Sequence, residues 1–212
     1  MPGKFITFEG PEGSGKSTQI RLLVERLEAG GIAVVPSREP GGTSTGEAIR
    51  ELLQHDAAGE PLSDRSELLL FTASRAQLMD RIILPALENG AWVLCDRFID
   101  STLAYQGFAR GMDLATLDAI NAFAIHERKP DLTLLLDLDI EAGFRRLEER
   151  YAESAESHDR FEREGRAFHQ RVRDGYHELV AREPARFRVI NSDRPIDEVS
   201  VAVWNAVKEA LL

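Results

Sequence analysis

Short apolar runs alternate with amphipathic stretches along this chain. Five runs are almost continuously apolar, at residues 5–8, 32–36, 92–95, 132–138 and 187–190. Runs of that length without polar alternation fit strands buried on both faces. Between them the apolar spacing lengthens to that of a helix. Ile20, Leu23, Val24 and Leu27 fall on one face of a helix expected at 19–27. Further helices are expected at 47–53, at 64–87 with Pro85 bending or ending the last turn, at 113–128 behind a cap at Asp113, at 140–151 behind a possible cap at Asp139, at 161–182, and at 196–211 after Pro195. Alternation of this kind predicts an α/β fold, a five-stranded parallel sheet covered on both faces as a three-layer sandwich. One stretch breaks the pattern. Residues 148–165 are highly charged and poor in core side chains. They read either as a solvated connection between two helices or as a mobile lid, at about 147–164, over bound phosphates.

Composition narrows the class. A chain of 212 residues with 43% hydrophobic content suits one well-buried domain. No run approaches the apolar length of a membrane helix, and the first strand begins within a few residues of Met1, so no signal peptide is expected. The lone Cys95 allows no intrachain disulfide and suits a reducing cytosol, and its place in an apolar run marks it as a core residue. A net charge of −10 argues against a general nucleic-acid surface, though not against a nucleotide. Only Lys4, Lys16, Lys129 and Lys208 are lysines among the 26 basic residues, so the planar forks suited to phosphate or carboxylate are arginines. The five histidines show no metal-ligand spacing.

The chemistry begins just after the first strand. Gly10-Pro11-Glu12-Gly13-Ser14-Gly15-Lys16-Ser17 matches the phosphate-binding G-x-x-x-x-G-K-[ST] loop, with Thr18 following. It sits between an expected strand and an expected helix, as the physics requires. Glycines let the backbone wrap an anion, and the helix start adds unpaired amides and a positive dipole end. Lys16 brings a full charge to the outer phosphates, and the Ser17 hydroxyl suits Mg²⁺. The loop marks a nucleoside-triphosphate site without naming a reaction.

Three more segments reach the same sheet edge. Arg38-Glu39-Pro40-Gly41-Gly42-Thr43 follows the second strand, and Asp96-Arg97-Phe98 follows the third. Phe71 and Arg75, four apart on a helix, share a face that suits stacking a base and bonding its edge. Each has a plainer reading. Arg38 with Glu39 fits a surface pair, Asp96 with Arg97 a structural salt bridge, and Phe71 ordinary core.

Taken in order, these motifs resemble thymidylate kinases. The resemblance runs through nearly the whole chain, on Phe8-Glu9-Gly10 to Thr18, Arg38 to Thr43, Leu70 to Arg75, Asp96-Arg97-Phe98, Ser101 with Ala104-Tyr105-Gln106-Gly107, and Asp159-Arg160-Phe161-Glu162. It implies the nucleoside-monophosphate-kinase type of P-loop fold and transfer of the ATP γ-phosphoryl group to dTMP, giving dTDP. It also implies Mg²⁺, a cytoplasmic homodimer, and no nucleic-acid or membrane partner. By resemblance, Arg97 grips the acceptor phosphate with Arg38 nearby, Phe71 stacks on thymine, and Arg75 bonds the base edge. Ser101, Tyr105 and Gln106 line the acceptor site, and Glu12 reaches towards its sugar. Asp96 is the leading carboxylate for magnesium, with Asp137 competing. The loop carries no arginine, and similar bacterial chains place catalytic arginines in the lid. Arg150 is the candidate here, with Arg146 beside it and Arg160 read as structural. This lid is richer in glutamate than the family pattern. Leu68, Leu69, Leu78 and Ile82 offer apolar faces for a second chain.

Two rivals stay open. Another P-loop nucleotide or nucleoside kinase differs only in its acceptor pocket. A GTPase-type switch needs a guanine-reading Asn-Lys-x-Asp, but the nearest string is Arg128-Lys129-Pro130-Asp131, and Asp56-Ala57-Ala58-Gly59 follows a helix where a switch motif would not.

Overall fold

The computed structural model describes residues 2–55, 59–152 and 160–212. Five strands, β1 (Phe5–Glu9), β2 (Val34–Arg38), β3 (Trp92–Asp96), β4 (Leu132–Asp137) and β5 (Phe187–Asn191), form one parallel sheet in the order β2-β3-β1-β4-β5. β1, β3 and β4 are the inner strands, and nearly all their residues are buried. That burial is why they read as continuous apolar runs.

Helices cover both faces. On one face α1 (Lys16–Ala29) and α9 (Ile196–Leu211) pack Leu23, Leu27 and Val203 against Ile6, Phe8, Leu134 and Leu136. On the other lie α3 (Asp64–Leu78), α6 (Leu114–Ala124) and α8 (Arg166–Arg182), where Phe5, Val93 and Leu135 join Leu78, Ile125, Val172 and Tyr176. Each such fully buried leucine stabilises the fold by roughly 1.5–3 kcal/mol. The shorter α2 (Ser44–Gln54) and α7 (Ile140–Ala152) flank the C-terminal sheet edge.

Several boundaries differ from expectation for local reasons. β2 starts two residues later than the apolar run, because the Ile32 amide still bonds to Leu27 O at 3.1 Å and closes α1. It then runs on to Arg38, which lies opposite Asp96. The helix expected at 64–87 contains a π-helical turn, Met79–Ile83, before α4 (Leu84–Glu88). Pro85 has no N–H to donate, and the wider turn accommodates its ring. The Asp113 cap is present, accepting from the Thr116 amide at 2.8 Å, and Asp139 accepts from the Glu141 amide at 3.0 Å. α6 stops early, where His126 and Glu127 take positive φ of 49° and 59°. α8 starts at Arg166 rather than at Phe161, with Gly165 as its cap residue.

One helical segment was not expected. α5 (Ile99–Thr102) runs into a π-helical turn, Leu103–Ala109. It is buried on nearly every side, so it lacks the one-sided periodicity that marks a surface helix. Of the apolar residues considered for a second chain, Leu68 and Leu78 lie in the chain's own core, while Leu69 is exposed.

Candidate active site

The loop after β1 is shaped by backbone contacts. Gly10 has φ 142°, and a Cβ there would meet Leu136 O at 2.4 Å. A Cβ on Gly13 would stand 2.6 Å from Gly143 O, and one on Gly143 the same distance from Glu12 O. The loop therefore packs backbone to backbone against α7. Gly15, at φ 88°, caps α1 with no side-chain bond to the first amides, which leaves them for an anion. Lys16 is buried, and its ammonium donates to Gly10 O at 3.2 Å, Pro11 O at 3.0 Å and Ser14 Oγ at 3.3 Å. Burial, then Arg97, lowers its pKa, with Glu12, Asp96 and Glu9 acting the other way.

A cleft of about 970 Å³ opens over the C-terminal sheet edge, where α/β sheets bind ligands. Every site residue expected from the sequence lines it except Gly10 and Pro11, whose carbonyls hold Lys16 from behind. Arg38 reaches the cleft while paired with Glu47 at 2.8 Å.

Arg97 stands at the centre. Its backbone is in the left-handed region, at φ 66°, held by its amide bonding to Phe8 O at 2.9 Å. One terminal nitrogen meets Gly10 O at 3.2 Å, and the other meets Glu12 Oε1 at 2.5 Å. Tyr105 also donates to that Glu12 oxygen, at 3.0 Å. Burial alone would push Glu12 up, but Arg97 and Lys16 more than offset it and hold it at about 2. Behind Arg97 lies Glu9, with no exposed surface. Burial and Asp100 raise its carboxyl to about 7, against hydrogen bonds from Ser101 and Tyr176 and the charge of Arg97.

The far end is an aromatic slot. Phe71 is half-buried, with its ring centre 5.6 Å from that of Phe161, which is also 6.0 Å from Tyr105. Arg75 forms the floor and is only 1% exposed. Each of the five N–H groups of a guanidinium has a protein acceptor here. Glu39 takes Nε and Nη2 at 2.9 and 2.5 Å, Thr102 and Asn121 take Nη1 at 3.0 and 2.6 Å, and Phe98 O takes Nη2 at 3.1 Å. Gln106 donates to Glu67 Oε1 at 2.7 Å. Glu67 is fully buried and also holds Arg110 at 2.9 Å and Arg160 at 2.6 Å.

Ser17 Oγ donates to Asp96 Oδ2 at 2.8 Å. A hydroxyl and a carboxylate are hard oxygen donors, and Mg²⁺ needs only one or two from protein when phosphates and water complete its shell. The donor set therefore fits the ion. Asp137 does not line the cleft. Arg173 holds it at 2.8 and 2.9 Å, and His177 lies at 3.2 Å.

Similarity to known proteins identifies the family. The family described as Thymidylate kinase matches residues 8–203. The thymidylate kinase of Pelotomaculum thermopropionicum is 51% identical over 100% of this chain and 95% of its own length. That of Chromohalobacter salexigens is 49% identical over 99% and 97%. The chain belongs to the thymidylate kinase family. A solved thymidylate kinase from Ehrlichia chaffeensis, 38% identical, superposes with a TM-score of 0.78 over 98% of this chain and 100% of that one.

In this member of the thymidylate kinase family, Arg150 lines the cleft and is half exposed. It donates to Glu162 Oε1 at 2.8 Å and to the Tyr151 hydroxyl at 2.7 Å. Arg146 spans Gly13 O at 3.3 Å and Ser192 O at 3.0 Å, tying the P-loop to the turn after β5. The expected lid lies partly outside the described residues, as do Asp159 of its motif and Asp56 to Ala58. Sequence reading missed the groups that hold the site from behind. Glu67 and Asn121 carry no motif of their own, and Glu39, expected as a surface partner of Arg38, is instead buried on Arg75 while Arg38 pairs with Glu47. Thr102 lines the cleft beside Arg75 and was overlooked because its helix was. Glu9 was noted only as part of a match, and Tyr176 lies in an ordinary amphipathic helix.

Proposed function

We propose that this chain transfers the γ-phosphoryl group of ATP to the 5′-phosphate of dTMP. The observation that carries the reading is a single cleft with the P-loop at one end, an aromatic slot at the other and Arg97 between them. Two phosphate-bearing substrates repel, so catalysis here is alignment and charge neutralisation. Lys16 and the loop amides take the triphosphate. Arg97 takes the acceptor phosphate, with Arg38 nearby, and Glu12 holds Arg97 and faces the acceptor sugar. Arg150 supplies the lid charge as the moving group develops its transition state. The acceptor oxygen is already ionised near neutral pH, so no strong base is needed. Ser17 and Asp96 hold Mg²⁺, which supplies additional neutralisation of the phosphate oxygens.

Phe71 stacks on the base, and the Thr102 hydroxyl, which accepts from Arg75 at 3.0 Å, presents its hydrogen to the base edge, while Arg75, with its N–H groups held by protein, is the floor beneath it rather than a direct partner. The thymine methyl is worth only about 1–3 kcal/mol, so dUMP is a weak substrate, whereas a wrong hydrogen-bonding edge strands buried polar groups and is rejected more firmly. A lid at about 147–164 closes the cleft against water. A homodimer is supported by Leu69 and Phe123, exposed on α3 and α6, and a cytoplasmic location by the buried free Cys95. The test is ADP release measured across the common nucleoside monophosphates with ATP as donor. We expect turnover to be highest with dTMP, weak with dUMP and negligible with dCMP. Ready turnover of another acceptor in place of dTMP overturns the reading.

A further inference from the structure

The hydroxyl of Tyr176 reaches the phosphate end of the cleft from a helix that otherwise serves the core. Tyr176 has no exposed surface, and its ring packs in the cluster with Leu135, Phe168 and Val172. A phenylalanine would fill that space nearly as well, so packing alone does not call for the oxygen. That oxygen lies 2.8 Å from Glu9 Oε2, 2.9 Å from Ser101 Oγ and 3.3 Å from Arg97 Nη1. Ser101 Oγ is 2.6 Å from the same Glu9 oxygen and 3.3 Å from the same Arg97 nitrogen.

Donor counting limits the bonds: the three contacts among Glu9 Oε2, Tyr176 and Ser101 share two hydroxyl hydrogens, and Gly10 O, Ser101 Oγ and the Tyr176 hydroxyl share the two N–H groups of Arg97 Nη1. A hydroxyl has one hydrogen and two lone pairs, and a guanidinium has donors only. When Glu9 accepts both hydroxyl hydrogens, the lone pairs left on Tyr176 and Ser101 face Arg97. The Phe98 amide holds the other Glu9 oxygen at 2.7 Å, so the carboxylate has a set orientation. Opposing this arrangement is Glu12, whose carboxylate pulls the other end of the guanidinium at 2.5 Å. The two hydroxyls and Gly10 O are thus the acceptors that hold Nη1 against the pull of Glu12 on Nη2.

We propose that Tyr176, acting with Glu9 and Ser101, is a positioning residue for Arg97 and sets how tightly the acceptor phosphate is held. This rests on the assignment of Arg97 to that phosphate.

The test compares dTMP with thymidine, which lacks the phosphate. Dissociation constants for both would be measured by calorimetry on the full chain and on Tyr176→Phe, Glu9→Gln and Arg97→Ala, with KM and kcat for dTMP alongside. We expect Tyr176→Phe to weaken dTMP about tenfold and thymidine less than twofold, with the ATP KM unchanged. Glu9→Gln, whose amide donates where the carboxylate accepted, should do the same or more. Equal weakening of dTMP and thymidine would assign Tyr176 to packing and overturn the proposal. So would unchanged binding of both. If Arg97→Ala keeps the wild-type ratio of dTMP to thymidine affinity, the phosphate assignment itself fails and takes the proposal with it. If Arg97→Ala loses that ratio while Tyr176→Phe and Glu9→Gln both keep it, only the positioning role fails. If Tyr176→Phe does not fold, Glu9→Gln and Ser101→Ala carry the same comparison.

Discussion

The two ends of the cleft are built in different ways. The P-loop end is made of consecutive residues and mostly of backbone. Its glycines face Leu136 O and Gly143 O, and its amides open α1. The acceptor end is made of side chains from separate segments, and several of them are fixed by a buried carboxylate. Glu39 fixes Arg75, Glu67 fixes Gln106, and Glu9 fixes Ser101 and Tyr176. A phosphate can be gripped by backbone amides, which any short segment can present. A base and sugar need particular side chains at particular angles, and buried ionic networks supply those angles.

The contrast predicts that damage at the acceptor end appears first as lost stability, and damage at the loop as lost rate. Arg75→Met should have the largest effect. It strands Glu39, which is 5% exposed, and leaves Thr102 and Asn121 short of a partner, so the fold should lose about 3–5 kcal/mol in urea unfolding. Near-wild-type stability would mean that the network is not structural. Lys16→Met should leave the unfolding midpoint almost unchanged and lower kcat by about 10²–10³, with little change in dTMP affinity. An equal loss of rate and dTMP binding would contradict the charge-neutralising role.

Phe71→Ala should weaken dTMP by about 1–3 kcal/mol, as loss of a stacking face does, and spare ATP. Unchanged dTMP affinity would return Phe71 to the core. Arg150→Ala should lower kcat about tenfold, an effect on the order of 1.4 kcal/mol, and, because it removes one donor from the buried Glu162 while Tyr151 keeps the other, should cost the fold less than Arg75→Met does. A wild-type rate would pass the lid role to Arg146.

The gentlest test is pH. Folding raises the Glu9 carboxyl from 4.5 to about 7, so in that window the folded state binds the extra proton. Its stabilising contribution is complete below about pH 4.5 and is lost as pH rises to about 7, with a slope of at most about 1.4 kcal/mol per pH unit. Unfolding curves for the wild type and Glu9→Gln should converge in slope above that window and diverge within it. Parallel curves throughout would show that Glu9 ionises normally. Glu12, held at about 2, is ionised in the folded state across this window; its unfolded carboxyl adds a slope of opposite sign only near pH 4.5, and equally in both proteins, so the comparison is unaffected.

What could be read in advance follows the same division. The inner strands were legible because burial on both faces leaves continuous apolar runs, and the P-loop because its chemistry lies in eight adjacent residues. Asp96 with Arg97, and Phe71 with Arg75, were legible as neighbours on one strand end and one helix face. The segment from Ile99 to Ala109 was not, since burial on every side erases its periodicity. Asp137 and Asp96 both end a strand, so sequence could not choose between them. Only packing placed Arg173 on the first and Ser17 on the second.

By itself, then, the sequence determined the parallel sheet, the phosphate loop and the set of polar groups at its rim, because each depends on residues near one another in the chain. The tertiary structure alone decided which carboxylate holds which arginine. Glu9 meets Tyr176 across 167 positions, and Arg75 meets Asn121 across 46. Such pairs leave no local pattern, since a buried charge is satisfied by whichever partner the fold brings within hydrogen-bond reach.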